Sequence, residues 1–155
     1  MRISTEGYCA IASFEGFRHT AYKCPSGVWT IGYGHTDGVK QGDTINYAEA
    51  GKLLRSDIEK CEAVLDELGK LTQGQTDAIV SFVFNVGKEN WHKSTLKKII
   101  KSDRFSRQIG KEFMRWVYSK GKRLNGLDYR DWETDRKSTR LNSSHEIPSR
   151  MPSSA

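Results

Sequence analysis

Between residues 13 and 36 the sequence reads SFEGFRHTAYKCPSGVWTIGYGHT. Its single acid, Glu15, is followed by eight residues and then Cys24, and Cys24 by five residues and then Thr30. A carboxylic acid, a thiol and a hydroxyl at these intervals, set among aromatic residues, could cut a glycosidic bond. That reaction needs one group to protonate the leaving oxygen and a second to deliver water or attack the anomeric carbon. Glu15 suits the first role. A place in the last turn of a helix, where negative charge is disfavoured, and the neighbours Phe14, Phe17 and Tyr22 would raise its pKa and keep its proton near neutral pH. Thr30 offers a hydroxyl able to orient a water. Both also have plain readings, Glu15 as a surface glutamate and Thr30 as a strand threonine.

Cys24 stands where a second carboxylate would be the simpler choice. An ordinary thiol, with a pKa of about 8.5, is a minority thiolate at neutral pH, and Lys23 and His35 could lower that value. Cys24 could then position a water, act as a weak base or attack the sugar directly; in a fourth reading it is a packed cysteine and Glu15 does nearly all the chemistry. His35 lacks partners at metal-ligand spacing and is expected to be a hydrogen-bonded structural residue. Gly32 and Gly34 would let the backbone approach a sugar or permit the turn.

The elements around these residues follow from local pattern. Tyr8, Ile11, Ala12 and Phe14 recur near helical spacing before Gly16, so Glu15 ends a first helix. HTAYKC, VWTIGY and DTIN, separated by turn residues, predict a small antiparallel sheet. Asn46 with Glu49 is a capping pair for a long helix carrying Leu53, Leu54, Ile58, Cys61, Val64, Leu65 and Leu68, closed by Gly69. Thr72 caps the apolar helix QGQTDAIVSFVFNV, ended by Gly87, and Ser94 caps TLKKIIKS. Phe105 to Tyr118 forms one more helix with Ile109, Phe113, Trp116 and Val117 inward. The resulting α+β plan is a sheet lobe and a helical lobe joined by a long helix, with a cleft between them suited to an extended ligand.

The 155 residues, 36% of them hydrophobic, fit one domain with a real core. Residues 1–131 are taken as that domain. Residues 132–155, serine-rich and without an apolar period, are expected to be a disordered tail resembling translated sequencing adapter, so His145 and the tail arginines carry no weight. No apolar run reaches the ~20 residues of a membrane span, and no signal-peptide segment follows Met1, so the chain is expected to be made in the cytoplasm without membrane insertion. Cys9 and Cys61 read as buried apolar residues, and Trp29 and Trp116 as core. The net charge of +6 suits an anionic partner such as nucleic acid, anionic lipid or an acidic wall polymer.

The run from Ser13 to Thr36, with AIVSFVFNVG at 78–87, KSTL at 93–96 and KRLNGL at 122–127, closely resembles the phage-type lysozymes, the endolysins of glycoside hydrolase family 24. The resemblance extends from about residue 5 to 127, and the glutamate, cysteine or aspartate, and threonine pattern at its centre is specific. It implies a two-lobed lysozyme-like fold and hydrolysis of peptidoglycan between N-acetylmuramic acid and N-acetylglucosamine, without metal or cofactor, by a monomer. It also implies Glu15 as general acid, Cys24 beside the attacking water and Thr30 as the third catalytic residue, in a protein that waits in the bacterial cytoplasm and reaches the wall when a holin opens the membrane. Where the family continues past a position like Gly126 and Leu127 into a basic closing helix, Asp128, Tyr129 and Arg130 lead here into the tail. The surfaces of the third and fifth helices, including Phe82 or its neighbours and Phe113, are therefore expected to be partly uncovered. Two other functions stand beside this one: a lysozyme-fold protein that binds glycan without cleaving it, and a nucleic-acid binder using Lys97, Lys98, Lys101 and Arg104, which lacks the motifs of such modules.

Overall fold

The computed structural model describes residues 1–117; the boundary at 131 and 132, the junction after Leu127 and the serine-rich tail lie outside them. The order is α1 (Thr5–Glu15), β1 (Arg18–Lys23), β2 (Trp29–Gly32), α2 (Tyr47–Glu62), a 3-10 turn (Ala63–Glu67), α3 (Gln73–Val86), α4 (Lys88–Lys93), α5 (Thr95–Ser102) and α6 (Gln108–Val117). The architecture is the expected α+β one.

Caps set most boundaries. Ser4 Oγ accepts the Gly7 N–H at 3.0 Å to start α1, and Gly16, at φ +69°, ends it just after Glu15. Asn46 with Glu49 opens α2, and Thr72 with Gln75 opens α3, each by a reciprocal pair of side chain to backbone bonds that satisfies otherwise orphaned N–H groups. The long helix is shorter than expected: α2 ends at Glu62 and the chain tightens into the 3-10 turn, which keeps Val64 and Leu65 buried. Arg104 reaches back to donate to the carbonyls of Leu68 and Lys70, satisfying acceptors left open beyond that turn. The short helix α4 was not expected, because in KENWHK only Trp91 faces the core and no period can show. The helix predicted from Phe105 starts at Gln108.

The helical lobe packs around α3, where Ile79, Val80, Phe82 and Val83 are all 0% exposed. The Phe82 ring meets Trp91, Phe113 and Trp116 edge-on, with centroids at 6.1, 5.6 and 5.6 Å. Phe82 and Phe113 are both buried, contrary to expectation, with their rings edge-on to one another at 5.6 Å. Trp116 packs on this core as expected.

The sheet lobe is a hairpin. β1 and β2 pair antiparallel, with Tyr22 opposite Thr30, Lys23 opposite Trp29 and Arg18 opposite Gly32, and an irregularity between Arg18 and Tyr22. DTIN does not form a third strand. Thr44 makes an isolated bridge to Thr20, and the Ile45 N–H donates to the His19 carbonyl at 2.9 Å. Ile31, Ile45 and Ala50 form a small separate core. Two further expectations fail here: Cys9 is exposed while only Cys61 is buried, and Trp29 belongs to neither core, its ring lying under the Lys23 ammonium at 5.4 Å.

Candidate active site

Glu15 ends α1, two residues before the hairpin, and its carboxylate meets the hairpin's far end. Ile31 and His35 exchange both backbone hydrogen bonds, at 2.9 and 3.0 Å, closing a tight loop over Gly32, Tyr33 and Gly34. Gly34 has φ +85°, and a β-carbon there would stand 3.1 Å from Glu15 Oε2. Gly32, at φ +63°, would place one 3.1 Å from the Ala50 β-carbon. One glycine therefore makes room for the acid and the other seats the sheet lobe on α2, so both serve packing as well as the turn.

A cleft of about 420 Å³ opens beside the Glu15 carboxylate, lined also by His35, Asp37, Lys60, Asn85 and Lys88. It lies between the hairpin loop and the helices α2 and α3. His35 is fixed by two bonds, Nδ1 to Asp57 Oδ2 at 2.6 Å and Nε2 to the Asp37 carbonyl at 3.1 Å, and Asp57 also accepts from Lys60 at 3.0 Å. That is the structural role expected of His35. Asp57, Lys60, Asn85 and Lys88 went unnoticed in the sequence. Asn85 lay within a quoted motif, and Asp57 and Lys60 showed only as a charged pair three apart on α2's polar face.

Cys24 and Thr30 lie on the hairpin rather than in the cleft lining. The turn Cys24-Pro25-Ser26-Gly27 is closed by the Gly27 N–H donating to the Cys24 carbonyl at 2.8 Å, and the Cys24 N–H donates to the Val28 carbonyl at 3.0 Å. Cys24 Sγ is 2.8 Å from Ser26 Oγ. The Ser26 hydroxyl foremost, joined by backbone hydrogen bonds from Val28 and Ser26, outweighs the opposing effect of desolvation and lowers the thiol's pKa to about 7. Lys23 and His35, the residues expected to do this, do not: Lys23 rests on Trp29 and His35 on Asp57. Thr30, 4% exposed, donates its hydroxyl hydrogen to the Val28 carbonyl at 3.1 Å, which leaves its oxygen lone pairs as acceptors. Cys61, which also touches the cleft, differs: burial pushes its thiol up to about 11 and makes it inert.

Among the described residues no three His, Cys, Asp or Glu side chains gather to hold a metal ion, and no helix is long and apolar enough to cross a membrane. The suspected phosphate-binding face is largely engaged within the protein. Lys97 pairs with Glu67 at 2.9 Å, Lys101 with the same carboxylate at 3.9 Å, and Arg104 holds the Leu68 and Lys70 carbonyls.

The α+β architecture, with a cleft between a hairpin and a helical lobe, is that of the lysozyme-fold structures the chain superposes on. The sequence profile described as Phage lysozyme matches residues 12–133, and the chain belongs to the phage lysozyme family, a glycoside hydrolase acting on peptidoglycan. An endolysin of Acyrthosiphon pisum secondary endosymbiont phage 1 is 44% identical over 133 residues, covering 82% of this chain and 90% of its own. An endolysin of Bacillus phage B103 is 41% identical over 82% of this chain, which spans 50% of that relative. Among solved structures, the endolysin from Escherichia coli O157:H7 phage FAHEc1 superposes with TM-score 0.67 at 32% identity, covering 99% of this chain and 98% of its own. The muramidase domain of SpmX from Asticaccaulis excentricus superposes with TM-score 0.69 at 31% identity, covering 88% and 95%.

Proposed function

We propose that this protein is an endolysin that cleaves the peptidoglycan glycan between N-acetylmuramic acid and N-acetylglucosamine, with Glu15 as general acid and Cys24 and Thr30 serving the attacking water. The observation that carries this reading is the Glu15 carboxylate set against Gly34 on the wall of a cleft about 420 Å³ in volume. Glu15 gives its proton to the glycosidic oxygen as the C–O bond breaks. A water oxygen bonds to the anomeric carbon and passes its proton to the Cys24 thiolate, while its other hydrogen is held by Thr30. A thiol pKa of about 7 leaves roughly half of Cys24 ionised at neutral pH, enough to act as a base.

The protein acts as a monomer on wall polymer, reaching the periplasm or cell wall from the host cytoplasm at lysis. Purified peptidoglycan digested by the protein should yield muramic acid at the new reducing ends, as read by mass spectrometry after borohydride reduction. N-acetylglucosamine at those ends would place the cut at the other linkage. Cys24→Asp should keep activity because a carboxylate also accepts a proton, whereas Cys24→Ala should lose most of it. Full activity in the alanine variant would return Cys24 to a packing role.

A further inference from the structure

The hairpin turn contains a polar side chain that the reaction as described does not use. Ser26 is the third residue of Cys24-Pro25-Ser26-Gly27, a turn whose geometry is set by the proline ring, by Gly27 at φ +82° and by the Gly27 N–H bond to the Cys24 carbonyl. Within that frame the Ser26 hydroxyl folds back over the turn to lie 2.8 Å from Cys24 Sγ. The main-chain bond from Cys24 N–H to Val28 ties the same residue to the start of β2. Sulfur is thus held from one side by a hydroxyl of its own turn, while Thr30, on the paired strand, is anchored to Val28.

We propose that Ser26 is a positioning residue for the reaction, holding the Cys24 sulfur as the acceptor for the attacking water; this rests on the reading of Cys24 given above. A hydroxyl donates to a thiolate more strongly than to a thiol, so the contact both orients the sulfur and favours its charged form. The foremost group acting on this sulfur is the Ser26 hydroxyl, with backbone of the turn and of Val28 behind it. Of the neighbouring charged side chains, Lys23 lies on the Trp29 ring, and Glu15, at the end of α1, is the other titratable group of the proposed site. Ser26 therefore does for this cysteine what a cationic partner does for other reactive thiols. It needs no second element, because the turn supplies both members of the pair.

Two readouts test the proposal, both in a Cys9→Ser background so that the half-buried Cys24 is the most accessible of the remaining thiols. The first is the pH dependence of Cys24 alkylation by iodoacetamide, followed by peptide mass spectrometry. The second is the pH dependence of kcat and KM on purified peptidoglycan fragments. With Ser26 intact the alkylation midpoint should lie near 7. Ser26→Ala should move it up toward the ordinary thiol range of about 8.5, slow alkylation about 5- to 10-fold at slightly acid pH, and shift the acid limb of kcat upward in parallel while KM stays constant. Ser26→Thr, which keeps the hydroxyl, should restore both. In a Cys24→Asp background Ser26→Ala should leave the kcat profile unchanged, because an aspartate is already ionised.

Alkylation and kcat profiles that ignore Ser26→Ala would overturn the proposal while leaving Cys24 in its role. An alkylation shift without a kcat shift would also overturn it, showing a hydroxyl that tunes the sulfur but does not serve the reaction. Full activity of Cys24→Ala would remove the reading of Cys24 and the role of Ser26 together. Circular dichroism and thermal melting of each variant separate these results from misfolding, which an exposed turn serine is not expected to cause.

Discussion

The helical lobe closes on large interlocked rings, with Phe82 edge-on to Trp91, Phe113 and Trp116, whereas the hairpin lobe has a smaller core of Ile31, Ile45 and Ala50 with the half-buried Phe17, Ala21, Tyr33, Val39 and Leu53 packed against it. The first is held by apolar volume, and stability there scales with the methylenes removed from water. The second is held by turns: glycines at positive φ, the Ile31–His35 exchange, and the bonds of Thr20, His19 and Ala21 to the 43–45 segment. Cys24 and Thr30 belong to the second kind of structure, and Glu15 joins the two. The chemistry proposed for Cys24 and Thr30 thus falls on the lobe with the smaller buried core.

Phe82→Ala should break the comparison hardest. Removing a 0% exposed ring that three other rings pack against should cost about 3–5 kcal/mol, a large share of a domain's whole margin, as read by chemical denaturation. Ile45→Ala in the hairpin lobe should cost about 2 kcal/mol, at the low end for such a truncation, since a small core partly collapses around the loss. Equal costs would mean that the hairpin lobe also depends on packing.

Gly34→Ala should act in the opposite sense, costing about 1–2 kcal/mol in stability for the left-handed backbone but lowering hydrolysis more than tenfold, because its β-carbon displaces the Glu15 carboxylate. A fully active Gly34→Ala protein would show that the acid tolerates the displacement.

The smallest expected effect concerns Glu67, whose carboxyl is held below the usual range first by the Lys97 hydrogen bond. A depressed folded pKa contributes stability that is present above the unfolded value of about 4.3 and is lost as pH falls through the folded one. Glu67→Gln should therefore cost at most about 1 kcal/mol near neutral pH and nothing near pH 2, as read by thermal melting at both. A cost that persists in acid would point to packing rather than charge.

Legibility in the sequence followed the same division. The caps at Asn46 and Thr72, the stop at Gly87 and the apolar face of α3 were all plain, since each is a local rule or a period. The helix α4 was not, because a single tryptophan carries no period. The passage from α2 into a 3-10 turn was equally hidden, since Val64 and Leu65 are buried in either geometry. Of the three residues proposed for the reaction, all visible by type and spacing, Glu15 lines the cleft while Cys24 and Thr30 lie on the hairpin. What lowers the Cys24 pKa was misassigned: charge on Lys23 and His35 was visible in the sequence, while the fold-back of Ser26 depends on how one turn closes. Burial also misled, since Cys9 falls on the outer side of α1 and Trp29 serves as a platform for Lys23.

The central claim is that the carboxyl of Glu15 supplies the proton for glycosidic cleavage. Glu15→Gln keeps the side chain's size and removes its acid, so reducing-end release from purified peptidoglycan by a well-folded Glu15→Gln protein tests it most directly. The account predicts a loss of at least a thousandfold in kcat, with substrate binding and the thermal midpoint close to those of the parent. Hydrolysis within tenfold of the parent rate would contradict it.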